Sequence, residues 1–253
     1  MPGLSIITVV KDDPEGLQRT LASIDTQGEV DAEVLIIDGS DAAVNDVPLT
    51  WIPSKVVWQP PRGIYPAMNA GLESARGKYV YFLNAGDTLS SSDTLTRVLA
   101  GLHQAGDPVW AFGAVEFFNA GGVGLREPTW SYERELRRLF ARGLFPAHQG
   151  IVATTESVRN VGGFDEGYVV TADYKLMLQL SNLATPIRWE WPIARFYQGG
   201  TSSQSWWTAL REFHRARREV FDPSGRLRLL EMLDTTRLWT RTVIAQAIGS
   251  IHK

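Results

Sequence analysis

The sequence predicts an α/β fold: an open sheet, mostly parallel with antiparallel additions, followed by a helical C-terminal appendage. Three observations lead there. Up to about residue 110, short β-branched apolar runs alternate with helical patterns, the order that parallel strands with right-handed crossovers require. Beyond that point two strand-like runs flank a glycine-rich turn, as in an antiparallel pair. From about Trp206 onward the pattern is mostly helical.

The elements follow in order. Leu4–Val10 is short, apolar and β-branched and reads as a buried strand. Lys11-Asp-Asp-Pro-Glu-Gly16 breaks it; Asp13 can cap a helix with Pro14 in its first turn, and Leu17, Leu21 and Ile24 supply the apolar stripe. Val34–Ile37 is a second buried strand, ending at Asp38-Gly-Ser-Asp41, and Val56–Trp58 a third. Met68–Ala75 reads as a helix, Lys78–Leu83 as a strand ending at Asn84-Ala-Gly-Asp87, and Asp93–Gln104 as a helix. Trp110–Phe118 and Val123–Arg126 are strands around Asn119-Ala-Gly-Gly122, and Tyr132–Arg142 and Ala172–Ser181 are helices. No repeat or low-complexity linker divides the chain, so one α/β domain, residues 1–203, is expected to carry an appendage of residues 204–253.

Composition narrows the function. The 253 residues carry a formal charge of −3, which gives no electrostatic reason to expect nucleic-acid binding. With no cysteine, disulfides, thiolate catalysis and zinc–thiolate sites are excluded. The N-terminus lacks a basic region before its apolar run, and no apolar run approaches the roughly 20 residues of a membrane span. A cytoplasmic protein is expected, at most peripheral at the inner face of the cell membrane.

In open α/β sheets ligands bind beyond the carboxyl ends of the strands. Three polar clusters fall at such ends: Lys11-Asp12-Asp13, Asp38-Gly39-Ser40-Asp41 and Asn84-Ala85-Gly86-Asp87. They read either as ordinary turns or as the site of a ligand with several polar groups, or a cation. The chain has no P-loop, no Gly-x-Gly-x-x-Gly after the first strand and no Gly-x-Ser-x-Gly elbow. A diphosphate held without such a loop needs a divalent cation, Mn2+ or Mg2+, and Asp87 on its small-residue turn suits that role.

Several segments, in order, resemble the bacterial family 2 glycosyltransferases with a GT-A fold, especially small enzymes of surface polysaccharide synthesis. They are Leu4–Lys11, Glu33–Ser40, Arg62–Gly71 and Gly77–Asp87, then His148-Gln-Gly150, Val161–Glu166, Thr171–Tyr174 and Gln198–Ser202. The resemblance covers residues 4 to about 203 and implies a nucleotide-sugar-binding sheet, with a donor half over about 1–110 and an acceptor half over about 111–203. By position, Thr8, Val9, Val10, Lys11 and Asp38 would hold the nucleoside. Gly63, Met68 and Asn69 would line the diphosphate side, with Asn84 and Ala85 beside it. Asp87 would bind the metal and Asp173 would be the general base.

Asn84 stands where many relatives have Asp, which leaves Asp87 as the one expected protein carboxylate on the metal. Pro66 stands where close relatives often carry an acid, so that turn receives no acid role. The resemblance also implies inversion by single displacement: an acceptor hydroxyl attacks the anomeric carbon of a nucleoside-diphosphate sugar, UDP-sugar favoured, as Asp173 takes its proton. The acceptor is expected to be a glycan or a lipid-linked glycan.

Asp173 reads equally as an acid favouring the start of its helix, with Thr171 as cap. His148 and Gln149 are expected on the acceptor side, through a hydrogen bond from His148. The run His214-Arg-Ala-Arg-Arg218 is a solvated helix face or, beside Trp206, Trp207 and Phe213, a contact with anionic lipid. The C-terminal helices are accordingly expected to serve a membrane surface or a homo-oligomer rather than the chemistry. The competing readings are a sugar nucleotidyltransferase, against which the acidic Lys11-Asp-Asp-Pro-Glu turn argues, and a non-catalytic nucleotide-sugar-binding protein.

Overall fold

The first two strands set the frame. β1 (Leu4–Val10) and β2 (Ala32–Asp38) are buried along almost their whole length, as strands covered on both faces must be. They pair in parallel from Leu4↔Ala32 to Val10↔Asp38. β3 (Ser54–Trp58) continues outward, parallel to β2, and β4 (Tyr79–Phe82) lies parallel to β1 on the other side. In this computed structural model the described residues are 1–42, 44, 49–119, 122–126, 145–197, 206–222, 229, 232–233, 235–237 and 239–240.

Helix α1 (Pro14–Asp25) crosses from β1 to β2. The Gly16 N–H donates to Asp13 Oδ1 at 2.8 Å, and Leu17, Leu21 and Ile24 are buried, as their spacing predicts. Helix α2 (Ile64–Ser74) starts four residues before Met68, where the sequence pattern places its beginning. Pro66 sits in its first turn, where a missing N–H costs nothing. Gly71 lets α2 approach the sheet: a Cβ there would lie 2.4 Å from Ile7 Cγ2 and 3.2 Å from Ile37 Cγ1.

The second half completes the same sheet. β5 (Thr88–Leu89), helix α3 (Thr94–Gln104), β6 (Trp110–Asn119) and β7 (Gly122–Arg126) are followed by β8 (Ile151–Thr154) and the short helix α4 (Thr155–Asn160). Helix α5 (Ala172–Leu183), β9 (Ile187–Tyr197) and helix α6 (Trp206–Phe221) end the series. The strand order is β3-β2-β1-β4-β8-β6-β9-β5, with β7 paired to β6. β8 is antiparallel to both β4 and β6.

Parallel pairing does not end near residue 110, as the sequence suggests, because β9 runs parallel to β6. β9 is hidden in the sequence by Pro192, which argues against a central strand. The structure places Pro192 opposite Ala114, between two register shifts, where a ladder hydrogen bond is already interrupted. The helix expected over residues 132–142, the hairpin tip at 120–121, the 198–202 segment and the 203/204 boundary lie outside the described residues.

One apolar core lies on each face of the sheet. Ile7, Ile37, Met68 and Phe164 belong to the one under α2 and α5, and Leu17, Leu21, Leu95 and Val98 to the one under α1 and α3. Gly71→Ala is expected to destabilise the protein by about 1–3 kcal/mol through overpacking. Urea denaturation measures it; an unchanged midpoint would show that α2 moves away freely.

Candidate active site

Strand direction assembles the site. Because β8 is antiparallel to β4, with Tyr81 opposite Val152, the residues entering β8 lie beside those leaving β4. The 3-10 turn His148–Gly150 therefore meets the Asn84–Asp87 turn. Helix α5, reached after α4, packs over this face and brings its N-terminus, with Asp173, to the same edge.

The Asn84–Asp87 turn is built from below. The Asp87 N–H donates to Asn84 O at 3.0 Å, and Gly86 takes φ 94°, a conformation that favours glycine. Thr20 of α1 fixes it: its hydroxyl accepts from the Gly86 N–H at 3.0 Å and donates to Asp87 O at 2.7 Å. Asp87 is 5% exposed. Burial pushes its carboxyl up to about 7, and the His148 charge, a Gln149 side-chain hydrogen bond and the Asn84 N–H counter that only in part.

His148 lies between Asp173 and the Asn84–Asp87 turn. Its Nδ1 lies 3.4 Å from Asp173 Oδ2 and its Nε2 3.4 Å from Asn84 Nδ2. Burial lowers the imidazole pKa, but the Asp173 hydrogen bond and the charges of Asp173 and Asp87 outweigh it, so the net shift is upward. Asp173 keeps 21% of its side chain exposed, and its Oδ1 accepts from the Tyr174 N–H at 2.9 Å. The result is a carboxylate, an imidazole and a second carboxylate at one sheet edge, suited to receiving and holding a proton.

Residues 5–158 match the family described as Glycosyl transferase family 2, well over half of the chain. The chain belongs to glycosyl transferase family 2. It is 30% identical over 216 residues to the PGL/p-HBAD biosynthesis glycosyltransferase of Mycobacterium bovis, covering 80% of each chain. Its fold is that of the GT-A glycosyltransferases. Staphylococcus aureus TarS 1-349 in complex with UDP-GlcNAc superposes with a TM-score of 0.68 at 14% identity, over 94% of this chain and 72% of TarS 1-349. This chain spans 39% of the longer crystallised TarS chain. The Pyrobaculum calidifontis mannosyltransferase PcManGT, in complex with GDP-Man and Mn2+, gives 0.62 at 15% identity over 97% and 75%.

Several residues expected to line this glycosyltransferase's donor site are turned elsewhere. Met68 is buried in the apolar core on the α2 and α5 face of the sheet. Asn69 brackets Phe164: its Nδ2 donates to Phe164 O at 2.8 Å and its Oδ1 accepts from the Phe164 N–H at 2.9 Å. Asp38 has no exposed surface, and its two oxygens accept from the Ser40 and Val44 N–H groups at 2.9 and 2.6 Å. Its carboxylate shapes the loop after β2.

The Val9 and Val10 carbonyls accept from Ala85 and Gly39 N–H groups, tying three strand ends together. The Thr8 hydroxyl is buried without a hydrogen-bond partner. Lys11 is exposed, and exposed Gly63 is the N-cap of α2. Gln149 is 5% exposed and its side chain bonds Asp87.

The arrangement fits a cation in one respect. Asn84 Oδ1 is a buried acceptor without a partner, on the same turn as the Asp87 carboxylate, and both are hard oxygen ligands. No group of three His, Cys, Asp or Glu suited to a metal ion occurs among the described residues. A cation here would draw its remaining ligands from phosphate and water.

Sequence reasoning missed Thr20, a polar residue on the buried face of α1, and Glu212 of α6, whose carboxylate accepts backbone N–H groups just before α5. The basic run divides: Arg218 is exposed, as a solvated face requires, and Arg217 is not. Arg217 is 1% exposed, with Nη1 3.3 Å from the Tyr174 hydroxyl and Nη2 2.7 Å from Thr235 Oγ1, while Arg215 pairs with Glu219 at 2.6 Å.

The Asp87 carboxyl yields a pH prediction. Its folded value, about 7, lies above its ordinary 3.8, so the folded state holds the extra proton between them and stability falls as pH rises. Asp87→Asn should therefore raise the melting temperature in chelator, and by more at pH 8 than at pH 5. An equal gain at both would show that Asp87 is not held protonated.

Proposed function

We propose that this glycosyltransferase inverts the anomeric centre of a nucleoside-diphosphate sugar, UDP-sugar favoured, by single displacement with Asp173 as general base. The observation that carries this reading is the meeting of Asp173, His148 and the Asn84–Asp87 turn at one sheet edge. The acceptor oxygen bonds to the anomeric carbon, the bond from that carbon to the diphosphate oxygen breaks, and the acceptor proton passes to Asp173. The Tyr174 N–H on Oδ1 and His148 facing Oδ2 aim the carboxylate and hold its charge. Asp87 and Asn84 Oδ1 would hold a divalent cation together with the diphosphate, and that cation would stabilise the charge of the leaving group.

On this reading residues 1–110 serve the donor and 111–203 the acceptor. The fold relatives support both uridine and guanosine donors, since TarS is seen with UDP-GlcNAc and PcManGT with GDP-Man. On the same reading the acceptor is a glycan or a lipid-linked glycan, met at the inner face of the cell membrane; the similarity to a PGL/p-HBAD biosynthesis glycosyltransferase supports a biosynthetic role. No helix among the described residues is long and apolar enough to cross a membrane, and Trp207 is exposed on α6, which suits peripheral contact.

The test is nucleoside diphosphate release from UDP-Glc, UDP-GlcNAc and GDP-Man, with manganese or chelator. Asp173→Asn should slow release by roughly 10²–10⁴-fold while leaving UDP affinity nearly unchanged. Asp87→Asn should weaken manganese-dependent UDP binding. Near-wild-type turnover of Asp173→Asn under rate-limiting chemistry would overturn the base assignment, and equal UDP affinity in chelator and manganese would overturn the cation.

A further inference from the structure

The segment that delivers Asp173 has an unusual accounting of backbone hydrogen bonds. The Val169 N–H donates to Glu212 Oε1 at 2.7 Å, and the Val170 and Thr171 N–H groups donate to Glu212 Oε2 at 3.0 and 2.9 Å. The Thr171 hydroxyl adds a fourth bond by donating to Glu212 Oε2 at 3.1 Å, and it makes no capping bond to α5, the role the sequence suggests for it. The next two N–H groups, of Ala172 and Asp173, face the buried Tyr65 hydroxyl. The sixth, of Tyr174, donates to Asp173 Oδ1. Helical bonding begins only with Lys175 N–H to Thr171 O.

Thus three successive N–H groups before Asp173 depend on a carboxylate that lies on α6, is 8% exposed and is remote in sequence. A local Ser or Asp cap would satisfy one or two such groups and leave the segment tied only to itself. An acid from α6 fixes it against another element, and charge-assisted bonds are the strong kind. The rest of α6 supports the grip. Lys175 bridges Asp165 and Glu219 at 2.6 Å each, the Tyr168 hydroxyl donates to Glu219 at 2.9 Å, and Phe213 packs edge-on against Tyr174.

We propose that Glu212 is a positioning residue for transfer: by holding residues 169–171 it sets Asp173 against His148 and makes α6 part of the acceptor-side machinery. This rests on Asp173 as the base. It departs from the expectation that the C-terminal helices stand apart from the chemistry.

Glu212→Gln is nearly isosteric but replaces one acceptor oxygen with an NH2 group facing N–H donors. Release of nucleoside diphosphate from UDP-GlcNAc, UDP-Glc and GDP-Man, with water as acceptor, is compared in wild type, Glu212→Gln, Asp173→Asn and the double variant. UDP affinity in manganese and amide hydrogen exchange are followed in parallel. Glu212→Gln should lower turnover roughly 10–100-fold, the range for a misplaced catalytic group, with UDP affinity unchanged and faster exchange confined to residues 169–174. In the Asp173→Asn background it should cost nothing further.

Glu212→Asp, which keeps the charge but is one methylene short, should recover part of the loss; it also stands in should Glu212→Gln fail to fold. The proposal is overturned by unchanged exchange at 169–174, by the same fold-loss in both backgrounds, or by a loss that tracks UDP affinity. Full turnover in Asp173→Asn would instead remove the base assignment and, with it, the target of Glu212.

Discussion

The antiparallel pairing of β8 with β4 is the constraint on which the site depends. Parallel strands put all their carboxyl ends, and hence their variable loops, on one side of the sheet. An antiparallel neighbour places its entry there instead, so residues that come before a strand meet residues that follow one. His148 can touch the Asn84–Asp87 turn only because Val152 lies opposite Tyr81 in this sense. A parallel β8 would carry His148 to the far end of the sheet.

Around that junction the protein keeps two acids and an imidazole in a poorly hydrated place. Burial penalises the Asp87 charge, and its compensating contacts come from a neutral amide, a backbone N–H and an imidazole. Asp173 lies nearer the surface, with an N–H on one oxygen and His148 near the other. Two carboxyl groups of one chemistry are thereby given different environments.

Much of this was legible in the sequence, and the losses have physical causes. β1, β2 and α1 were readable because burial on both faces, a Pro-led first turn and a regular apolar stripe are local signals. Asp87, His148 and Asp173 were singled out separately, and the fold brings them together. Their mutual contacts were not legible, because they depend on the direction of β8, a four-residue strand with no signature of its own. The side-chain directions of Met68 and Asn69 were not legible, because position in a motif does not say which way a side chain turns; one enters the core and the other clamps Phe164. Glu212 was invisible because its partners are backbone groups of a distant segment.

The Asn84–Asp87 turn is also a crossing. In residues 83–87 the chain leaves β4 near the middle of the sheet and arrives at β5 on its edge. On the way it is fastened to Val9 through the Ala85 N–H, to Thr20 at Gly86 and Asp87, and to β9 through Thr88 and Leu89. A span pinned at both ends and in its middle has a fixed length. An inserted or deleted residue would unseat the Asp87 carboxyl or the β5–β9 pairing, whereas a change of residue type outside Gly86 that preserves the count leaves the pins in place. Relatives should therefore differ in this stretch by substitution and not by gaps, and their changes in length should accumulate in the other connections.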